Sequence, residues 1–365
     1  MGVAQSGSSV KSFAFAMYSL VAITIVASFV FVHLMGYGFF FFTPEGLALG
    51  MRSFPFPILV LFLVGFYTPF PLRVGSVFSV IWIIYVICFL AAWKWRQSFH
   101  DVLKRSVSGR VQDAFDNFLF AMPLLSSMCL TAALAIILSQ SAVGVETGEP
   151  QLPPNAHEAF LNLAYAPLIE ELAFRLVPIG LLIVFYVFLA GRNVGTLSAV
   201  RGRLRLVVFA FIYPEGAKRM AGLRNVGEHG VWRGISPLEW AMIVAASAIF
   251  GLAHVLSPVG WEVGKITSTF VQGVFFAVTY IAYGFEAPIL LHWYFNYYFY
   301  FFDPKVAANF FPATMDLLLV FETLILVLGV LGWVAFAAEG FRRLRTRKRS
   351  VEQLSIQPIS AAQSL

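Results

Sequence analysis

Charge is what this sequence has least of. Asp, Glu, Lys and Arg together make up 12% of its 365 residues, about half the roughly 25% of an ordinary soluble domain. Hydrophobic residues make up 59%, which excludes a soluble globular chain and a disordered one alike. Cysteine is nearly absent too. Cys88 and Cys129 both sit in apolar runs, so neither a disulfide framework nor a cysteine zinc cluster is expected. The first apolar run lacks a short core followed by a small-residue cleavage site, so no cleavable signal peptide is expected. The net charge of +6 collects in clusters outside the apolar runs, which marks membrane orientation more than nucleic-acid binding.

What is there is a series of apolar runs, near 12–35, 55–72, 75–93, 117–140, 159–190, 236–256, 265–284, 286–302 and 315–338. Each is of the order needed to cross a hydrocarbon core about 30 Å thick. Helices satisfy their own backbone groups where no water is present. The expected fold is therefore all-α, a polytopic transmembrane helix bundle of roughly eight to nine spans around a central polar cavity. The second run, Phe54 to Leu72, carries four prolines and reads as kinked or re-entrant. Leu206 to Tyr213 is too short to cross and reads as interfacial.

Orientation follows from Lys and Arg. Lys94, Arg96, Lys104, Arg105 and Arg110 follow the third run. Eight more, from Arg192 to Arg233, follow the fifth, and six from Arg342 to Arg349 follow the last. Ser141 to His157 holds Glu146 and Glu149 and no Lys or Arg. With nine spans the three basic segments share one side, so the C-terminus is expected in the cytoplasm and the N-terminus outside. The basic tail reads as a stop-transfer flank, with binding of anionic membrane lipids as the other reading. Ser350 to Leu365 is small and polar and expected to be disordered.

Ionisable side chains inside spans are costly, so each is a functional candidate. They are Glu170, Glu171, Arg175, His254, His292 and Glu322, with His33 in the first run. Glu171 and Arg175 stand four apart, acid first, the favoured order for a helical ion pair. Glu170 points about 100° away, which leaves one carboxylate neutralised and one available. A carboxylate in a low-dielectric setting is a competent general base. In Phe250-Gly-Leu-Ala-His254, Phe250 and His254 share a face, and Gly251 and Ala253 let another helix approach. His292 and Asn296 are also four apart and present two polar heads from one helix side, as an oxyanion site needs. The plain alternative for each piece is a packing pair. Glu322 reads as packing first and as an accessory cavity residue second.

Taken together, E-E-x-x-x-R, F-x-x-x-H and H-x-x-x-N, in that order, resemble the CPBP family. These are the CAAX prenyl proteases and their bacterial and archaeal relatives, bacteriocin-processing Abi-like proteins included. Ala166-Pro167 and Ala287-Pro-Ile-Leu-Leu-His292 resemble its flanks. The resemblance covers about Pro153 to Asn296. It implies an intramembrane endopeptidase acting on a lipid-modified or hydrophobic peptide. Glu170 and His254 would activate a water, and His292 and Asn296 would bind the oxyanion. Glu171, Arg175 and Phe250 would be supporting residues. Residues 117–338 would be the catalytic core, 1–116 accessory helices with a basic loop, and 339–365 a disordered basic tail. No cofactor is expected. The alternatives are a zinc ion held by Glu170, His254 and His292, or a non-proteolytic transporter or scaffold. No internal repeat supports a transporter. Depth counted along each span does not put the three motifs at one level, so a broken helix, a tilt or a different span count is expected.

Overall fold

The computed structural model is helical almost throughout and describes residues 2–61, 64–107, 114–190, 200–257, 260–301 and 315–355. α1 (Gly2–Phe41) leads through α2 (Pro44–Met51) into four short strands, β1 (Ser53–Phe54), β2 (Pro57–Leu61), β3 (Val64–Tyr67) and β4 (Leu72–Arg73). α3 (Val74–Lys94), α4 (Phe99–Val107) and α5 (Phe118–Ala142) follow. α6 (Ala156–Glu171) runs through a π-helical stretch, Leu172–Gly180, into α7 (Leu181–Ala190). Four short helices come next: α8 (Val200–Ile212), α9 (Pro214–Met220), α10 (Val226–His229) and α11 (Val231–Gly234). The chain ends with α12 (Pro237–Leu256), α13 (Lys265–Tyr283), α14 (Glu286–Phe301) and α15 (Met315–Ser355).

Among the described residues, 7 helical runs are long and apolar enough to cross a membrane. They lie in α1, α3, α5, α6–α7, α12, α13 and α15. α14, with 16 described residues, is the shorter eighth member of the bundle. The run at 55–72 is no spanning helix. It folds back as two antiparallel ribbons, β1 with β4 and β2 with β3. Pro55, Pro57, Pro69 and Pro71 are the reason: proline lacks the helical N–H and pushes the residue before it to extended backbone. The apolar side chains that suggested a span stay exposed there, Ile58 and Val64 among them. At the other end, α15 continues as helix to Ser355, through much of the segment expected to be disordered. Residues 356–365 lie outside the described residues.

Packing defines two faces. On one, Tyr18 of α1 donates to the Phe120 carbonyl at 2.8 Å and Arg96 to the Ala282 carbonyl at 3.1 Å. There too Phe285 N–H donates to the Ile212 carbonyl at 2.8 Å, and Phe336 of α15 lies 5.7 Å from Trp232. This helical face gathers the start of α1, α4, α8–α11 and the C-terminal part of α15. The opposite, hairpin face gathers α2, the strands, the 143–155 connection and residues 260–264. Arg52 meets Glu158 there at 3.0 Å. Glu262 N–H donates to the Thr147 carbonyl at 3.0 Å and Gly264 N–H to the Glu146 carbonyl at 2.9 Å.

Lipid tails are as apolar as leucine, so close packing and internal hydrogen bonds hold the helices together. Trp293 of α14 takes Phe29 of α1 at 4.9 Å and Tyr85 of α3 at 4.8 Å. α12 and α13 approach through small residues: a Cβ on Gly251 would come within 2.6 Å of the Ile266 carbonyl oxygen. Ser236 and Glu239 form a reciprocal cap at the start of α12, and Glu239 also holds the buried Lys218 at 2.9 Å. This anchor fixes the helix that carries Phe250 and His254.

Candidate active site

All three motifs converge between α6, α12, α13 and α14. Glu171 is fully buried and pairs with the buried Arg175 at 3.1 Å, one turn on. The same Glu171 oxygen lies 2.8 Å from His292 Nδ1. An ionised carboxylate only accepts, so the ring proton sits on Nδ1. On the other ring nitrogen, Nε2 lies 3.6 Å from Glu170 Oε2. That oxygen is buried and has no hydrogen-bond partner among the described residues, although 29% of the Glu170 side chain is exposed. One imidazole thus stands between the two carboxylates. Reading the segment as a helix separates Glu170 from the Glu171–Arg175 pair, and the structure does so. It adds His292 as the link.

Arg175 packs its guanidinium over Phe250 at 4.2 Å and faces Phe276 at 5.2 Å. Such cation–π contacts hold a buried charge in place. Phe276 in turn stacks on His292 at 4.8 Å. Phe250 is edge-on to His254 at 4.8 Å, and its carbonyl lies 2.9 Å from His254 Nδ1. A carbonyl can only accept, so Nδ1 carries the proton and Nε2 is left as an acceptor, the tautomer a base requires. Phe250 supports the site through both its ring and its backbone.

Asn296 owes its position to a proline. Pro167 has no N–H, so the carbonyl of Leu163, four residues earlier, loses its helical partner. Asn296 Nδ2 donates to that carbonyl at 3.3 Å. One amide N–H is used in orientation and the other remains for a ligand. Giving the helix back its own bond tests this. In Pro167→Ala the melting temperature is expected to hold or rise, because the Leu163 carbonyl regains a helical partner and Asn296 is released from it. A clear fall in melting temperature would overturn this account of Asn296.

The π stretch begins at the residue after Glu171 and contains Arg175 and Pro178. Such stretches gather at functional sites because the widened turn re-aims side chains. The depth mismatch has a related cause. Ala156–Leu189 is a continuous run of 34 residues, about 51 Å at 1.5 Å per residue, so counting from its end misplaces Glu170. Helical side chains also lean toward their own N-terminus. Glu170 therefore leans toward the hairpin face and His254 toward the helical face, and they draw together.

One residue here escapes a reading of the sequence. Lys265, the first residue of α13, interacts electrostatically with Glu170, as does His254. Its ammonium sits 3.7 Å above the Trp261 ring. Two other candidates lie elsewhere. His33 stacks on Trp82 at 4.7 Å and lines an apolar groove between α1, α3 and α14. Glu322 is half-buried on α15. Cys88 and Cys129 are buried free thiols. Among the described residues, no three His, Cys, Asp or Glu side chains group as a metal-binding set.

Residues 153–298 match the family model of the type II CAAX prenyl endopeptidases, Rce1-like. The match covers less than half of the chain and bears out the CPBP resemblance read from the three motifs. Neither a curated protein nor a solved structure matches the chain.

Proposed function

From this Rce1-like segment we propose an intramembrane endopeptidase that hydrolyses a lipid-modified or hydrophobic peptide with a glutamate-activated water. The observation that carries the reading is Glu170 Oε2, a buried carboxylate oxygen without a hydrogen-bond partner among the described residues, set among His292, His254 and Lys265. A buried acceptor left unsatisfied is costly, and a water there would answer it.

Glu170 and His254 take a proton from the water, and its oxygen bonds to the scissile carbonyl carbon. The oxyanion accepts from the second Asn296 Nδ2–H and from His292 Nε2–H. With Nδ1–H already given to Glu171, Nε2 donates only when the ring is an imidazolium, and the two carboxylates are its counter-charges. Collapse breaks the C–N bond, and the proton held by Glu170 or His254 passes to the departing amine. The products are a new carboxylate and a free amine. Glu171, Arg175 and Phe250 keep His292 and His254 in position.

Incubation of the purified protein with a farnesylated CAAX-type peptide, read by mass spectrometry, tests the reading. Loss of the C-terminal tripeptide is the expected outcome, unchanged by a chelator. Activity lost to the chelator and restored by zinc would replace the water-only mechanism with a metal-assisted one. No cleavage of farnesylated, acylated or unmodified hydrophobic peptides would favour a transporter or scaffold.

A further inference from the structure

We infer that the site opens to the non-cytoplasmic face of the membrane, so its substrate is a hydrophobic peptide whose scissile bond lies on that side. The inference rests on the protease reading for the word substrate and on independent observations for the face.

The described residues of the three basic segments all belong to the helical face. The first lies at the end of α3 and in α4, the second runs into α8–α11, and the third follows Phe336 of α15, which packs against Trp232. The hairpin face holds, among its described Lys and Arg, only Arg52, Arg73 and Lys265. Arg52 is paired with Glu158 and Lys265 is stacked on Trp261. Short loops rich in Lys and Arg stay in the cytoplasm, so the helical face is cytoplasmic and the hairpin face is not. Losing the run at 55–72 as a span reverses the expectation for the N-terminus. The apolar span of α1 begins beside α4 and α5, with Ser19 3.0 Å from Ser106, so the N-terminal part of α1 and the C-terminal part of α15 both lie on the cytoplasmic side.

Along the same axis the catalytic groups are displaced toward the hairpin face. His254 is two residues from the hairpin-side end of α12, and Lys265 is the first residue of α13. Glu170 interacts electrostatically with both. On the cytoplasmic side the site is stoppered by Glu171, Arg175 and His292, exposed by 0%, 1% and 6%, and by the Phe250 and Phe276 rings. Water and peptide therefore reach Glu170 from the hairpin face. A cytoplasmic protein carrying a lipidated C-terminus would meet the closed side. An exported peptide, or a membrane segment ending outside, would meet the open one.

Two labelled positions decide it. In a Cys88→Ala/Cys129→Ala background, Glu262→Cys marks the mouth and Glu228→Cys the opposite face, both at exposed sites. Spheroplasts are treated with a membrane-impermeant maleimide before and after permeabilisation. The expected result is full labelling of position 262 in sealed spheroplasts and at least tenfold more labelling of position 228 after permeabilisation. The reverse pattern overturns the inference. A fluorescent protein that matures only in the cytoplasm, fused after Leu365 of the unaltered chain, gives a second reading: bright cells support the inference and dark cells overturn it. Neither readout uses cleavage. Failure of the facing therefore leaves the protease reading standing, and absence of cleavage leaves the facing standing.

Discussion

Glu170→Gln is expected to lower peptide cleavage by about 10²–10⁴-fold, the range a positioned acid–base group supplies, while the melting temperature in detergent stays within a few degrees. The substitution keeps the shape of the side chain and removes its capacity to hold a proton. Stability is spared because Glu170 Oε2 has no hydrogen-bond partner among the described residues and approaches His292 only at 3.6 Å. His254→Ala is expected to act on turnover to a similar degree, since its Nε2 is the acceptor left free by the Phe250 carbonyl. Each variant is read by turnover on one peptide and by thermal unfolding. Full activity in a folded Glu170→Gln protein would sink the assignment. A large drop in melting temperature would instead recast Glu170 as a packing residue.

Arg175→Met should do the opposite, striking the fold first. It strips the fully buried Glu171 of its guanidinium partner at 3.1 Å and removes the cation from between the Phe250 and Phe276 rings. Removing one partner of a buried ion pair typically costs about 3–5 kcal/mol, and the contact with His292 Nδ1 at 2.8 Å is left to hold Glu171. The double variant Glu171→Gln/Arg175→Met recovers much of that loss, because no bare charge remains. It does not recover catalysis, since His292 Nδ1 then faces a neutral amide. Equal stability of the single and double variants would show that the pair carries no structural load.

The polar motifs were legible because charge is scarce. When few ionisable groups lie in apolar runs, their spacing is informative, and the Glu171–Arg175 pair and the isolation of Glu170 follow from helix geometry alone. The Rce1-like match over 153–298 agrees with that reading. What stayed hidden was hidden for definable reasons. Hydropathy counts side chains and ignores backbone, so the run at 55–72 passed for a span, although its four prolines had already removed the helical donors. Lys265 looks like any lysine flanking a span, and only the fold brings it to Glu170. The contact of His292 with Glu171 joins residues 121 positions apart, beyond any local pattern. The tie between Asn296 and Leu163 was half visible, because Pro167 announces which carbonyl it frees and not which donor will claim it.

The π stretch of α6–α7 has one more consequence. An α-helix advances about 100° per residue, and a π turn closes with one residue more than an α turn. Leu172–Gly180 therefore works as a phase shifter between two halves of one rod. Upstream, the rod aims Glu170 and Glu171 at His292. Downstream, Gly180 sits against Tyr280 and Phe211. Removing a single residue from the stretch would let the rod return to an even pitch and would cancel the offset. The glutamates and the α8 contact could then no longer both be satisfied, so length at this point is under tighter constraint than residue identity.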